Sequence, residues 1–258
     1  MTPSTDELLI ERRGPVLWLT IAREARRNAM SHGVLAAMGR ALEEAQAERG
    51  LRAIVITGAG EKAFCAGADL QSAQAFTTDY SEPYGHLAQV LRKARASTVP
   101  LVARVNGACM AGGMGLLAMC DLAVAAEHAV FGLPEVKVGV FPAQVLSVLQ
   151  HLIPRRELAR LCLTGEPISA AQAQAMGLVN AVSADVDAAL QTLLASLLDK
   201  SPAAIRRGLY TMKAIEAMPF EQAMAFTESQ IALFTLTGDA KEGQAAFQEK
   251  RAPQWPGR

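Results

Sequence analysis

The sequence predicts an α/β fold with a strand-rich first half and a helical C-terminal part. Three observations predict it. Short β-branched and leucine-rich runs alternate with helical stretches up to about residue 140, the βα order of an α/β protein. After Pro142 the apolar residues recur at helical spacing only. Two segments of small residues, Ala63–Leu70 and Asn106–Gly113, stand where a strand pattern gives way to a helical one. At 258 residues the chain is one large domain or one domain with a small appendage, long enough to bury a sizeable core.

Leu8–Glu11 and Val16–Ile21 read as strands around the Gly14-Pro15 turn. Ser31 is an N-cap for a helix to about Glu48, stopped by Gly50. Ala53–Thr57 is a β-rich run ending in Gly58-Ala59-Gly60. A helix over Pro83–Ala96 precedes a strand at Leu101–Val105. Gly113–Met119 is a short helix and Leu122–Ala125 a strand. Helices alone follow Pro142, over Ala143–Leu152, Arg155–Leu163, Ala170–Met176, Val186–Leu198, Pro202–Ala217, Glu221–Leu236 and Ala240–Gln248. No internal repeat or low-complexity linker interrupts them.

Bulk composition narrows the function classes. Twenty-five Lys and Arg balance twenty-five Asp and Glu, which removes any bulk electrostatic case for nucleic acid or an anionic membrane. Arg104, Asp121 and Glu127 break the most apolar region before it reaches spanning length. The polar stretch Met1–Arg13 does not read as a signal peptide, so a cytoplasmic location is the expectation. Cys65, Cys109, Cys120 and Cys162 lack the spacing of a zinc site and read as reduced, mostly buried thiols. Gly58-Ala59-Gly60-Glu61-Lys62-Ala63 fits a dinucleotide-binding pattern, but no helix-forming stretch follows it directly, so the dinucleotide reading is set aside. His32, His86, His128 and His151 have no partner spacing and read as structural. Met212, Met218 and Met224 read as core or subunit contact, and Trp18 as packing.

The two small-residue segments carry a chemical hint. Small side chains let a ligand approach the backbone, and a helix start leaves N–H groups without partners. Two such groups aimed at one point make an oxyanion hole. Glu135 is the candidate acid/base: it follows Pro134 in the largely apolar stretch Val130–Val140, where desolvation raises a carboxyl pKa. A surface glutamate paired with Lys137 is the rival reading.

Together with Phe131–Val136, Thr164–Ile168 and Met176–Val179, these segments resemble, in order and spacing, the crotonase (enoyl-CoA hydratase/isomerase) superfamily from about Leu8 to the last helix. The resemblance implies a spiral core of ββα turns over residues 1–195. It also implies a C-terminal helical region, 196–258, that packs a homotrimer or a dimer of trimers. It implies that the N–H groups of Ala68 and Gly112 hold a thioester carbonyl, and that Glu135 faces the reacting acyl carbons. Coenzyme A enters as part of an acyl-CoA substrate, with no separate cofactor and no metal. Its adenosine and phosphate end would meet Ala25, Arg26 and Arg27, the arginines suiting phosphate by their forked, permanent charge. Ala66, Ala68 and Leu70 would line the adenine and pantetheine path. Asp69, Gly113 and Pro134 belong to the same motifs. Phe247 and Lys250 match positions that reach a neighbouring subunit's coenzyme.

One position departs from the pattern. Two-glutamate hydratases of the family carry a second glutamate where this chain has Gly115, and no carboxylate occurs between Gly107 and Met119. Glu135 alone suits a Δ3,Δ2-enoyl-CoA isomerase, whereas hydration also needs an oriented water. The Pro142-Ala143-Gln144 segment, with glycine at the lost-glutamate site, resembles bacterial hydratases of branched glutaconyl-type thioesters. Gln144 could then serve substrate or water, with Asp69 and Tyr80 as other helpers. The expectation is a hydratase, with the isomerase as alternative and a non-catalytic acyl-CoA-binding protein as the alternative of another class.

Overall fold

The computed structural model describes residues 2–69 and 83–258. The first ββα unit is β1 (Leu8–Arg13), β2 (Val16–Ile21) and α1 (His32–Ala47). Three more follow: β3 (Ala53–Gly58), β4 (Ala63–Cys65) and α2 (His86–Ala96); β5 (Leu101–Val105), β6 (Ala108–Met110) and α3 (Gly112–Ala118); β7 (Leu122–Ala126), β8 (Val130–Gly132) and α4 (Ala143–Leu149). A 3-10 turn, Pro134–Val138, lies between β8 and α4. The large sheet has the order β1-β2-β3-β5-β7-β10 and the small one β4-β6-β8-β9. From β3 on, each unit places its first strand in the large sheet and its second in the small one, then returns through a helix. Repeating that step generates the spiral implied by the resemblance.

Strand composition explains why the large sheet is buried on both faces. Leu17, Leu19, Ile54, Ile56, Leu101 and Ala103 point into the main core with α1, α2 and α3. The alternate residues Trp18, Val55, Val102 and Val124 form a second layer. It is covered by Val186, Leu190 and Leu194, one stripe of α7 (Val186–Leu198). Trp18 packs there as expected, 7% exposed, with the Arg13 guanidinium 4.2 Å above its ring. Ser31 caps α1, accepting the Val34 N–H at 3.1 Å.

Several expectations need correction. Helix α2 begins at His86, with Gly85 as its cap, rather than at Pro83. The dinucleotide pattern stays set aside, since the glycine-rich run after β3 leads into β4, a strand, and not into a helix. The stretch after Pro142 is not helix alone. Besides α5 (Arg155–Thr164) and α6 (Ala170–Ala175) it holds β9 (Ile168–Ser169), antiparallel to β8, and β10 (Ala181–Ser183), parallel to β7. Strands of two or three residues have no period to read; the edges of sheets already built recruit them.

The C-terminal helices are α8 (Pro202–Ile215), α9 (Phe220–Thr235) and α10 (Gly238–Glu249). Cations dock α8 onto the core. Arg206 donates to the carbonyls of Gln46, Glu48 and Leu51 around the end of α1. Lys213 reaches Ala94 and Ser97 at the end of α2 and pairs with Asp121 at 3.0 Å. Positive charge is favoured at helix C-termini. Met212 and Met224 are 65% and 44% exposed, so the core reading fails for both. No described helix is long and apolar enough to cross a membrane.

Candidate active site

The two small-residue segments meet because β4 and β6 are parallel neighbours, with Ala63 opposite Ala108 and Cys65 opposite Cys109. Their continuations, Ala66–Ala68 and Met110–Gly112, run side by side. Met30 bridges the outer flank of the first. Its N–H donates to Gly67 O at 2.7 Å, and its carbonyl accepts the Asp69 N–H at 3.1 Å. In a parallel bridge this pattern turns the N–H of the intervening residue, Ala68, to the opposite side. Gly67 has φ +97°, and a Cβ there would lie 2.7 Å from Ala111 Cβ and 3.3 Å from Gly112 N, so only glycine lets the segments meet. Gly112 is the first residue of α3, so its N–H has no intrahelical acceptor. Ala111 before it adopts φ 52°, ψ −126°, a strained non-glycine conformation that aims this helix start. Gly113 serves packing: a Cβ would stand 2.4 Å from Cys65 O.

Glu135 lies on the Pro134–Val138 turn, fixed from three sides. Its carbonyl accepts the Val140 N–H at 3.1 Å. Gly165, in the left-handed conformation, ends α5 against Lys137 and Val136. Lys137 pairs with Glu166 at 2.7 Å, which overturns the rival reading of a Glu135–Lys137 surface pair. The Thr164-Gly165-Glu166 motif is therefore the brace behind this turn. Glu135 Oε2 is buried with no hydrogen-bond partner. Burial pushes the carboxyl above its ordinary value, and a hydrogen bond from its own backbone N–H offsets this only in part. A desolvated carboxyl with one oxygen unpartnered is suited to proton exchange. Pro134, half-buried, presets the turn at its first position.

On α3, the buried Gly115 faces α4: a Cβ there would be 3.3 Å from Val145 Cγ2 and 4.0 Å from Leu91 Cδ2. The neighbouring Gln144 is exposed, and its Nε2 lies 3.8 Å from where a Cβ on Gly85 would be. Leu87 Cδ2 is 3.7 Å from the corresponding point on Gly112. The start of α2 thus borders both Gly112 and Gln144.

The residues assigned to coenzyme A fall in two places. Ala25, Arg26 and Arg27 are exposed, and the Arg27 carbonyl accepts the Ala66 N–H at 3.1 Å, which joins this turn to the Ala66–Ala68 segment. Neither arginine has an ion-pair partner among the described residues. The Asp69 carboxylate is turned to Arg23 at 2.7 Å. Leu70 and Tyr80 lie outside the described residues. Phe247 is 86% exposed on α10, and Lys250 caps that helix with φ 55°.

Residues with no motif of their own hold the site. Arg23 joins Glu7, Asp69 and the Ala29 carbonyl beside the Met30 bridge. Asn28 donates to the carbonyls of Ala59 and Ala63. Asn106 donates to Gly60 and Ala63 and accepts from Gly58 N. A buried asparagine bonded to several backbone groups fixes a loop; Asn106 is signalled by the glycine that follows it, and Asn28 carries no such signal. The four cysteines are free, and burial pushes the Cys65 thiol up to about 12, far from a nucleophile's range. His32 and His86 stack with ring centroids 4.6 Å apart, joining the starts of α1 and α2.

A spiral ββα core with two facing glycine-rich segments and one desolvated carboxyl defines an α/β enzyme of crotonase type. Residues 11–258 match the family model described as enoyl-CoA hydratase/isomerase, and the chain belongs to that family. It is similar to enoyl-CoA hydratase EchA19 of Mycobacterium tuberculosis, 37% identical over 99% of this chain and 98% of the relative. It is also similar to 2,3-dehydroadipyl-CoA hydratase of Escherichia coli, 33% identical over 98% and 99%. Among solved structures, an enoyl-CoA hydratase of Mycobacterium smegmatis superposes with TM-score 0.91 at 33% identity, covering 96% of this chain and 98% of the other.

Proposed function

We propose that the chain is an enoyl-CoA hydratase that adds water reversibly to a 2-enoyl-CoA thioester. The observation that carries this reading is the buried, unpartnered Glu135 Oε2. The hydratase names of relatives spanning the whole chain agree with it.

In this reading the thioester oxygen accepts hydrogen bonds from Ala68 and Gly112 N–H. The Glu135 carboxylate takes a proton from water as the water oxygen bonds to C3. The π electrons move to the C1 oxygen, giving an enolate held by the two amides. The carboxyl then returns its proton to C2, and the enolate collapses to the 3-hydroxyacyl thioester. One oxyanion donor is worth about 3–4 kcal/mol where measured in another enzyme class. Gln144 orients the water. Arg26 and Arg27 take the phosphates, and Ala25, Ala66, Asp69, Leu70, Gly113 and Pro134 border the coenzyme and acyl path. The helical region 196–258 packs a homotrimer or a dimer of trimers, from which Phe247 and Lys250 reach a neighbour's coenzyme.

The single carboxylate favours a second reading. With Gly115 in place of another glutamate, Glu135 alone could move a proton between C4 and C2, as a Δ3,Δ2-enoyl-CoA isomerase does. Purified protein tested with crotonyl-CoA, 3-methylglutaconyl-CoA and a 3-enoyl-CoA, beside Glu135→Gln, separates the two. Water addition that disappears in the variant supports the hydratase. Double-bond migration without water addition establishes the isomerase and overturns the first reading.

A further inference from the structure

Gly115 is a contact as well as an omission. It lies three residues after Gly112, on the same face of α3, and the side-chain atoms nearest a Cβ there are apolar: Val145 from α4 and Leu91 from α2, 3% and 7% exposed. The 3.3 Å from an added Cβ to Val145 Cγ2 is tighter than an ordinary contact, so a side chain at 115 requires Val145, and α4 with it, to give by a few tenths of an ångström. Val145 follows Gln144 directly in the first turn of α4, a helix of seven residues with no side-chain cap. So short a helix has little rigidity of its own, and its place comes from what it packs against.

We propose that Val145 is a positioning residue. It seats α4 in the notch left by Gly115 and thereby sets where the Gln144 amide stands for the attacking water. The space that a second glutamate occupies in two-carboxylate relatives is used here for a helix contact, and the water-orienting group comes from the helix so seated. The inference rests on the hydratase reading and adds a residue to it. It also explains why a glutamate cannot simply be restored at 115: it would enter an apolar wall.

The test is a cycle of Gly115→Ala, Val145→Ala and the double variant, with Gln144→Ala alone and combined with Gly115→Ala, all assayed for hydration. An alanine at 115 shifts α4 by tenths of an ångström, and displacements of 1 Å can cost on the order of 100-fold in rate. The expected result is kcat down roughly five- to tenfold for Gly115→Ala with KM within about twofold. Val145→Ala in the same chain makes room for the new methyl and recovers most of that loss. Gly115→Ala adds little on a Gln144→Ala background, because both act through one amide. Full multiplication of the two losses, or loss of melting temperature with kcat intact, overturns the proposal. Failure of the hydratase reading looks different: wild type adds no water to any of the three thioesters, and the proposal falls with it.

Discussion

Glu135 is kept in an unfavourable state by its surroundings, and two consequences separate its chemical role from its effect on stability. Its charged form lacks a partner at Oε2, so its pKa in the fold lies above that of the unfolded chain. In hydration the active form is the carboxylate, so activity falls as pH drops through that raised value, giving an acid limb above the usual carboxylate range. Glu135→Gln should lose about 10²–10⁴-fold in kcat, with no such limb in the residual rate. The stability effect has the opposite sign. Between the unfolded and the folded pKa the native state binds more protons, so the carboxyl's contribution to stability declines as pH rises through that window. The glutamine variant lacks this penalty and should melt higher than wild type at neutral pH. Thermal melts at pH 5 and pH 7.5 check it: the gap between the proteins should widen at the higher pH. A glutamine variant that melts lower at both would show Oε2 to be satisfied.

Among elements, the short strands and the loops between the sheets decide whether the donors meet. The Gly58–Ala63 crossing leads into β4, and Asn106 holds it by bonding Gly58 N, Gly60 O and Ala63 O while only 2% exposed. Asn106→Ala leaves the buried Gly58 N–H unpaired and frees the exposed Gly60 carbonyl, while Ala63 O keeps its bond from Asn28, at a cost of about 1–3 kcal/mol. It should shift the denaturant midpoint and also lower kcat, because Ala68 follows β4. A shift no larger than that of an exposed Asn→Ala change would show the clamp to be dispensable. The sequence made the long elements legible. The capped helix from Ser31 and the β-branched run before Gly58 carry their own period and end signals. Strands β4, β6, β8, β9 and β10 have two or three residues, several of them alanine, cysteine or glycine, and exist through pairing across the fold. The site divides in the same way. Glu135 and the glycines announced themselves by residue type and order. Arg23 at Asp69 and Val145 at Gly115 are contacts between residues 30 or more positions apart, which no local pattern encodes.

At the scale of the whole molecule, the C-terminal helices present large apolar side chains to solvent within one chain. Within one chain α8 buries only Pro202 and α9 only Gln230, while Phe220, Ile231, Leu236 and Phe247 are 65–86% exposed. A cleft of about 530 Å³ between α8 and α9, lined by Arg206, Tyr210 and Leu233, shares no residue with the candidate active site. Apolar faces of this extent are covered in a soluble oligomer, and further copies of this chain are the covering proposed. Light scattering should then give three or six times the 27.4 kDa chain mass. Ile231→Glu with Leu236→Glu places charges that a free helix tolerates and an interface does not, so this variant should fall to one chain mass while keeping its far-ultraviolet helix signal. The same variant tests Lys250. If this lysine serves a neighbour's coenzyme, Lys250→Ala raises KM for the thioester about tenfold with kcat little changed, the mark of binding shared by ground and transition states. The dissociated variant shows the same rise, and adding Lys250→Ala to it changes nothing further, because the site has already lost its neighbour. A second tenfold rise on that background would place Lys250 at its own chain's coenzyme, and a wild-type protein of one chain mass would remove the neighbour altogether.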